Sequence, residues 1–274
     1  MPELPDVEGF RKVLESCAKG RVIERVDVRD AGVLHGVSRR RLREALEGRR
    51  FTEPERHGKW LLARTGDGPT LMLHFGMTGR LVCGRPDDAA EAHDRVLFTV
   101  SGDRQLRYRD QRKLQGLWLA DDDSDVARLL DDQGPDAMAV DREDFEAALS
   151  ARRGRVKTVL TDQSVLAGLG NLLADEILWR AGLSPARRAN DLTDAERRRL
   201  YSQMRRTLRS AVTAGRVPPR ASWLTGHRDA PDPTCPRCDG HLRRSRMASR
   251  TTVWCPRCQP EESRAPGKSD GDGN

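Results

Sequence analysis

Apolar residues near the start of the chain recur at helical spacing. The residues on this face are Val7, Phe10, Val13, Leu14 and Cys17. Because they repeat with the 3.6-residue period of an α-helix and Gly20 follows them, they predict an amphipathic first helix that ends at this glycine. Such a helix would hold the chain terminus against the body of the protein.

A series of short apolar segments follows the first helix. They lie at residues 22–28, 60–62, 71–73, 95–100 and 105–108, and glycine, proline and aspartate separate them. The first segment alternates apolar and polar residues, which is the period of a half-buried strand. Several short strands spaced in this way predict an antiparallel sandwich or barrel.

The pattern changes to a helical one from about Asp141 onward. Thr193 and Glu196 form a capping box before an apolar stripe, and Gly215 is placed to end that helix. Residues 217–234 are rich in proline, arginine and aspartate and are predicted to be a linker.

The charge of the chain points to a polyanionic partner. The 274 residues carry a net charge of +7, with a pI near 9.4. A high pI does not by itself distinguish nucleic acid from an anionic membrane surface. Nearly all of the positive charge is arginine, whose planar guanidinium binds two phosphate oxygens at once, although a genome-wide codon bias would produce the same excess.

The sequence lacks the apolar segments of a membrane or secreted protein. Hydrophobic residues make up 36% of it and charged residues 33%, and no apolar run is long enough to cross a bilayer. Asp6, Glu8, Arg11 and Lys12 interrupt any apolar core of a secretion signal. We therefore expect a cytoplasmic protein without a membrane partner, associated with the nucleoid if it binds DNA.

Two C-x-x-C pairs near the end of the chain predict a metal site. The pairs are Cys235 with Cys238 and Cys255 with Cys258, and sixteen residues separate them. This spacing is typical of a ribbon that holds one structural zinc ion through four thiolates. Disulfides are the rival use, but a cytosolic chain would keep them reduced. Cys17 and Cys83 lack such spacing and are expected to be small buried hydrophobic residues.

The first residues of the chain carry a candidate nucleophile. Removal of Met1 would leave the secondary amine of Pro2 as the chain terminus, next to the carboxylate of Glu3. An α-amino group titrates near pH ~8, so part of it is neutral at physiological pH and able to form an imine. Glu3 is placed to move protons for that reaction. Taken alone, however, a proline-rich start is more often a simple tail.

Four separated stretches of the chain carry motifs that form one pattern when they are taken in order. They are the opening Pro2-Glu3, residues 57–62 with 74–79, residues 166–179, and the zinc hairpin with residues 250–255. In this order they resemble the formamidopyrimidine-DNA glycosylase and endonuclease VIII family of base-excision repair enzymes. The resemblance runs from the first residue to about Gln259.

The resemblance implies a catalytic role for several of these residues. Pro2 would be the nucleophile and Glu3 the general acid and base. Glu176 would orient the chain terminus by attracting its ammonium form. Lys59 and Arg250 would complete the catalytic set.

The resemblance also implies a DNA-binding set. These residues would be Lys59, His74, Met77, Arg112, Asn171 and Arg250. Met77 would enter the base stack as a wedge when the damaged nucleotide leaves it, and most of the others would hold phosphates. From the residues alone, Gly168 and Gly170 allow a tight turn with positive φ before a helix that begins at Asn171. Its outward-facing amides would then form a phosphate clamp, although without the resemblance an ordinary glycine-rich turn with Asn171 as a helix cap is the favoured interpretation.

Two features depart from the pattern of the family. The family's wedge loop reads D-x-R-R-F-G, whereas here Leu114 stands where phenylalanine is expected. Many members that cut 8-oxoguanine carry a long mobile loop before the zinc ribbon, and the segment from Gly215 to Cys235 is too short for it. The motif at 166–179 leans toward the endonuclease VIII branch, while the start of the chain is of the formamidopyrimidine type. The lesion and the preferred opposite base therefore stay open.

The resemblance and the patterning together predict an α+β fold. We expect an N-terminal catalytic antiparallel β-sandwich with an N-terminal helix at 1–134 and a helical helix-two-turns-helix domain at 135–224. A zinc-ribbon β-hairpin would follow at 225–262 and a disordered tail at 263–274.

The predicted function is that of a monomeric bifunctional DNA glycosylase and abasic-site lyase with one zinc ion. Its partner would be double-stranded DNA with damaged bases or abasic sites. The alternatives are a diverged protein that binds damaged or abasic DNA without excising bases, or an enzyme that is chiefly an abasic-site lyase. An RNA-binding zinc-ribbon protein is a further alternative, which the aromatic content of only 4% disfavours.

Overall fold

Two four-stranded antiparallel sheets form the N-terminal part of the computed structural model, which describes residues 1–261. The strands are β1 (Ile23–Val28), β2 (Glu55–His57), β3 (Trp60–Ala63), β4 (Thr70–His74), β5 (Arg80–Gly84), β6 (Asp94–Val100), β7 (Arg104–Arg109) and β8 (Leu117–Ala120). One sheet has the order β1-β6-β7-β5 and the other β2-β3-β4-β8. Apolar residues of both sheets pack in one cluster, which includes Val26, Phe98, Leu61 and Leu73. The predicted sandwich is therefore confirmed.

The predicted first helix, α1 (Leu4–Ala18), connects two apolar cores. Val7, Leu14 and Cys17 belong to the core of the sandwich. Leu4, at the start of the same helix, belongs instead to the core of the helical region. The beginning of α1 is therefore fixed at the junction between the two parts of the molecule.

The other helices flank the sandwich or form the helical region. They are α2 (Arg39–Leu46), α3 (Asp123–Leu130), α4 (Arg142–Ser150), α5 (Val156–Leu160), α6 (Asn171–Ala181) and α7 (Asp194–Ala214). The predicted capping box begins α7, because the Thr193 amide donates to the Glu196 carboxylate at 2.8 Å and the Glu196 amide donates back to the Thr193 hydroxyl at 3.3 Å. Gly215 ends α7 in the left-handed conformation, with φ of 68°. Within residues 1–261, no helix has the length and apolar character needed to span a membrane.

The segment predicted as a linker is in fact packed. Trp223 and Leu224 are 3% and 0% exposed. Leu224 lies in a small apolar cluster with Trp179 and the zinc-ribbon cysteines. The guanidinium groups of Arg180 and Arg220 lie 4.4 and 5.7 Å from the Trp223 ring. Local composition missed this packing because most of the partners belong to α6 and to the zinc ribbon, outside the segment. The predicted tail, 263–274, lies outside the described residues.

Cys17 and Cys83 form a disulfide, so the expectation that neither has a partner was wrong, although Cys17 is buried as expected. The bond joins the last turn of α1 to β5, across 66 residues of sequence and a Cα–Cα distance of 5.9 Å. Cys17 is fully buried, whereas Cys83 is partly exposed. Sequence spacing did not reveal this pair because the packing of the helix against the sheet brings the two residues together.

A two-stranded hairpin completes the predicted α+β fold. It consists of β9 (Arg243–Met247) and β10 (Arg250–Trp254), which pair in antiparallel register. Ala248 and Ser249 form its turn with positive φ angles of 45° and 62°. The hairpin therefore places Arg250 at its tip, next to the turn.

Candidate active site

The carboxylate of Glu3 lies at the N-terminus of α6. Its oxygens accept hydrogen bonds from the amides of Gly170 at 3.0 Å, Leu172 at 2.7 Å and Leu173 at 3.1 Å. The first amides of a helix have no partner within the helix, and the helix dipole favours a negative charge there. Three of the donors predicted to face outward as a phosphate clamp therefore bind Glu3, because the chain terminus covers this end of α6.

Two glycines allow this close approach. Gly168 has a φ of +114°, and a Cβ atom on it would lie 2.5 Å from Leu4 Cδ1. A Cβ atom on Gly170 would lie 2.3 Å from Glu3 Cδ. The Leu4 amide also donates to the Gly168 carbonyl at 3.1 Å. The predicted glycine turn is present, and it is shaped to receive the first residues of the chain.

Lys59 lies beside Glu3, just before β3. Its Nζ donates to the Leu169 carbonyl at 2.8 Å, and the side chain is almost fully buried. Burial lowers the pKa of Lys59 to about 8, and the charge of Arg250 acts in the same direction while Glu3 opposes it. Burial likewise raises the pKa of Glu3, against the opposing effects of Lys59 and the helix amides. The site therefore pairs a carboxylate that is easier to protonate than usual with an ammonium that is easier to deprotonate.

His74 is a neutral hydrogen-bond donor at the end of β4. Burial and the nearby charge of Lys59 lower its pKa to about 4. Its Nδ1 accepts a hydrogen bond from the Gly76 amide at 3.2 Å, which leaves the proton of the neutral ring on Nε2. The Trp60 ring packs edge-on against the imidazole at a centroid distance of 5.0 Å. The imidazole can therefore donate to an anion without carrying a charge.

Met77 and Leu114 form an exposed apolar surface next to His74. They are 41% and 49% exposed and, with Met1, are the large hydrophobic residues that residues 1–261 leave open to solvent. The guanidinium Nη1 of Arg112 lies 3.0 Å from Met77 Sδ. The Arg112 amide donates to the Thr78 hydroxyl at 3.0 Å, which ties the loop to the turn. Leu114 is therefore an exposed residue of the same loop as Arg112, whose guanidinium contacts Met77.

Asn171 and Arg250 approach the site from α6 and from the hairpin. Asn171 is the first residue of α6, and its Oδ1 accepts no hydrogen bond from any residue in 1–261. Arg250 is exposed, and its Nη1 donates to the Thr161 carbonyl at 3.2 Å. The Asn171 Oδ1 is buried and can only accept, so of these two groups the exposed guanidinium of Arg250 is the one that can donate to a ligand.

Glu176 makes its polar contacts with Arg180 and with the segment that follows α7. One of its carboxylate oxygens accepts from Arg180 Nε at 2.7 Å and the other from the Thr225 amide at 3.0 Å. The carboxylate that approaches the terminus is that of Asp6, which accepts from the Glu3 amide at 2.8 Å. Burial raises the pKa of Asp6, while the charged chain terminus lowers it. Glu176 is thus paired with Arg180 and Thr225, and its orienting role at the chain terminus stays a prediction.

The four cysteines of the zinc ribbon lie close enough to share one metal ion. Their sulfur atoms all lie within 4.8 Å of one another. The Cys235–Cys258 and Cys238–Cys255 sulfur distances are 3.8 and 3.5 Å. Four sulfurs at the usual Zn–S distance of about 2.3 Å form a tetrahedron with edges of about 3.8 Å, so these residues fit zinc. A complete thiolate shell leaves no coordination position for substrate, which makes the site structural.

A buried ionic cluster that the sequence did not reveal anchors the hairpin to the helical region. Asp175 contacts Lys157 Nζ at 2.6 Å and Arg228 Nη1 at 2.8 Å, and it accepts from the Val253 amide at 3.1 Å. Lys157 also donates to the Thr252 hydroxyl at 2.8 Å. The one sequence signal for this cluster was Asp175, an aspartate within the apolar helix α6. Nothing in the sequence indicated that Arg228 would be its partner. This cluster fixes the base of the strand that carries Arg250.

The fold and the site define a protein of the base-excision repair type, with a β-sandwich that holds the chain terminus, a helix-two-turns-helix region and a zinc finger. Three family models match in sequence order. They are the formamidopyrimidine-DNA glycosylase N-terminal domain at residues 1–117, the formamidopyrimidine-DNA glycosylase H2TH domain at 133–220, and the zinc finger found in FPG and IleRS at 233–260. The chain belongs to the formamidopyrimidine-DNA glycosylase family.

Individual relatives agree with this assignment. The formamidopyrimidine-DNA glycosylase of Heliobacterium modesticaldum is 37% identical over 279 residues, covering 94% of this chain and all of the relative. The Lactococcus lactis enzyme, solved noncovalently bound to DNA with an abasic site, matches with a TM-score of 0.85 and 27% identity, covering 95% of this chain and 100% of that one. A mutant of the same enzyme bound to DNA containing Fapy-dG matches with a TM-score of 0.86, 28% identity and the same coverage.

Proposed function

We propose that this protein is a bifunctional DNA glycosylase and abasic-site lyase that uses Pro2 as its nucleophile. The observation that carries the proposal is the position of Glu3, the residue directly after Pro2. Its buried carboxylate accepts hydrogen bonds from the amides of Gly170, Leu172 and Leu173 at the start of α6. A binding protein has no need for a buried carboxylate next to its terminal amine. The solved relatives, with DNA containing an abasic site or Fapy-dG, support damaged double-stranded DNA as the substrate.

Removal of Met1 would create the nucleophile. Pro2 is half-buried, so its nitrogen can lie against Glu3 and still meet a substrate. The neutral amine attacks C1′ of a flipped nucleotide, and the damaged base leaves with the bonding electron pair. Glu3 donates a proton to the ring oxygen or to the sugar hydroxyl. Burial raises the pKa of Glu3 and so favours the protonated form that this step needs.

The same intermediate leads to strand cleavage. A secondary amine yields an iminium ion, whose positive charge acidifies the neighbouring C2′–H bond. Loss of that proton expels the 3′ phosphate, and a second elimination expels the 5′ phosphate. Glu3 remains in place to take up and return protons during both eliminations.

The residues around Glu3 would hold the DNA. The ammonium of Lys59, the Nε2–H of His74, the amide of Asn171 and the guanidinium of Arg250 are donors that suit phosphate oxygens. Met77, with Arg112 and Leu114 beside it, is exposed where an apolar wedge would fill the space left by a flipped nucleotide. One zinc ion bound by the four cysteines would keep the hairpin folded so that Arg250 reaches the backbone.

A cleavage panel with variants at the chain terminus tests this proposal. Duplexes with 8-oxoguanine, oxidised pyrimidines or a plain abasic site are incubated with wild-type protein, with Pro2→Gly and with protein that keeps residues ahead of Pro2. We expect cleavage by wild type, weak cleavage by Pro2→Gly, and none by the extended protein. Full activity of the extended protein would contradict the proposal. Tight binding without cleavage by wild type would support the non-excising alternative instead.

A further inference from the structure

The disulfide between α1 and β5 has one accessible partner and one protected partner. Cys17 is 0% exposed and lies within the core of the sandwich. Cys83 is partly exposed and lines a surface pocket of about 460 Å³. The other residues of this pocket are Gly84, Arg85, Gly102, Asp103 and Arg104. A small molecule can therefore approach the sulfur of Cys83 but not that of Cys17.

The pocket favours a reactive thiolate at Cys83. Arg104 Nη1 lies 3.8 Å from Cys83 Sγ, close enough to stabilise a negative charge on the sulfur. The second arginine, Arg85, is directed to Asp103, with its Nε 3.4 Å from the carboxylate. Redox-responsive cysteines are accessible, lie near a cation and have a second cysteine within reach, and Cys83 meets all three conditions.

We propose that Cys83 and Cys17 form an oxidant-responsive pair, in which Cys83 reacts with a hydroperoxide and Cys17 completes the disulfide. The Cys83 thiolate attacks the peroxide, breaks its O–O bond and becomes a sulfenic acid, while the other oxygen leaves as hydroxide or alkoxide. The Cys17 sulfur then attacks Cys83, the S–O bond breaks, and the Cys17 proton leaves with the departing hydroxide as water. Two electrons pass from the two thiols to the peroxide.

Oxidation would link α1, the helix that follows Glu3, covalently to β5 of the sandwich. The bond closes a loop of 66 residues that contains β1 to β4, so it restricts the unfolded chain strongly. In reducing compartments, protein disulfides are usually transient or redox-sensing, which fits a bond that forms on exposure to peroxide. This role does not depend on the glycosylase activity proposed above.

A peroxide titration of the full-length, zinc-loaded protein tests the pair. Fully reduced protein is freed of reductant, treated with small increments of hydrogen peroxide, alkylated and mapped by peptide mass spectrometry. We expect the alkylated forms of Cys17 and Cys83 to disappear together, with the two peptides joined, before zinc is released. Release of zinc while Cys17 and Cys83 remain alkylated would overturn the proposal.

Variants assign the two roles. In Cys17→Ser, dimedone should label Cys83 as a trapped sulfenic acid, whereas in Cys83→Ser it should leave Cys17 unlabelled. Labelling of Cys17 in Cys83→Ser at the rate seen for Cys83 would contradict the assignment. Arg104→Gln should slow the reaction several-fold, and Arg85→Gln is the matched control that should not. Equal rates for Arg104→Gln and wild type would remove Arg104 from the proposal.

Thermal unfolding provides a readout that is independent of labelling. Oxidised wild type should melt roughly 5 °C or more above the reduced protein, because the cross-link restricts the unfolded chain. The melting temperatures of Cys17→Ser and Cys83→Ser should not respond to peroxide at these doses. An identical melting temperature for oxidised and reduced wild type would show that the bond does not restrain α1.

Discussion

Lys59 gives the proposed DNA-binding site a pH dependence that can be measured. Its pKa is lowered from 10.5 to about 8, chiefly by burial. If its ammonium binds a phosphate, bound DNA raises the pKa of Lys59. The affinity for DNA then begins to fall when the pH passes the lower pKa of the free protein. Above pH 8, the fraction of free protein with a protonated Lys59 falls about tenfold with each pH unit. The Kd should therefore rise about tenfold per pH unit until the pKa of Lys59 in the complex is reached.

Binding of a fluorescent duplex with an uncleavable abasic analogue measures this effect. Anisotropy titrations at constant ionic strength, from pH 6.5 to 10, should give a flat Kd up to about pH 8 and a steep rise above it. Lys59→Arg is the matched control, because guanidinium keeps its charge across this range and should remove the rise. A flat profile for wild type, or the same rise in Lys59→Arg, would refute this account of Lys59.

The free energy of unfolding should also depend on pH through Lys59, and the direction of that dependence is defined. The unfolded chain binds the Lys59 proton up to pH 10.5, whereas the folded protein releases it near pH 8. The unfolded state therefore holds more protons in this window, and stability rises with pH across it. Between neutral pH and pH 10.5, wild type should gain about 3 kcal/mol relative to Lys59→Met, from a shift of about 2.5 pKa units. Denaturant unfolding that shows a constant difference would contradict the burial of a charged Lys59.

Further predictions concern the wedge, the zinc and the buried ionic cluster. Met77→Ala and Leu114→Ala should each change the unfolding free energy by less than about 0.5 kcal/mol, because both residues are exposed. Both variants should nevertheless slow nucleotide flipping in a 2-aminopurine fluorescence assay, and unaltered flipping would show that they are not wedge residues. Chelation of zinc should abolish DNA binding and change the emission of Trp179, whose indole donates to a zinc-ligand sulfur at 3.3 Å; retained binding would show that the hairpin folds without metal. Asp175→Ala should destabilise the protein by about 3–5 kcal/mol in chemical denaturation, because two buried cations lose their counterion; a change below about 1 kcal/mol would mean that the cluster is solvated.

Elements defined by local pattern could be predicted from the sequence. The apolar period of α1, the Thr193–Glu196 capping box and the spacing of the zinc cysteines each lie within one short segment. The missed strands were β2, β5 and β8, which lie at the edges of the two sheets. β2 consists of three polar residues and carries no apolar signal. The apolar residues of β5 and β8 were a signal that could have predicted those two strands.

Features that depend on tertiary contact could not be predicted. Glu3 reaches amides that are 167 to 170 residues away in sequence, and Cys17 pairs across 66 residues. The motif at Gly168 and Gly170 correctly indicated a tight turn, but the segment that packs against this turn is the chain's own terminus. The burial that lowers the pKa of Lys59 likewise depends on tertiary contact, because its ammonium reaches the Leu169 carbonyl of the helical region.

The central claim is that the amine of Pro2 becomes covalently bound to deoxyribose. Lys59 is the natural rival, because a buried lysine with a pKa of about 8 is also able to form an imine. Borohydride reduction of the protein on abasic DNA, followed by tandem mass spectrometry of the crosslinked peptide, distinguishes the two. We expect the sugar remnant on the nitrogen of Pro2, in a peptide that has lost Met1. A remnant on Lys59, or a mature protein that retains Met1 and still crosslinks, would contradict the account.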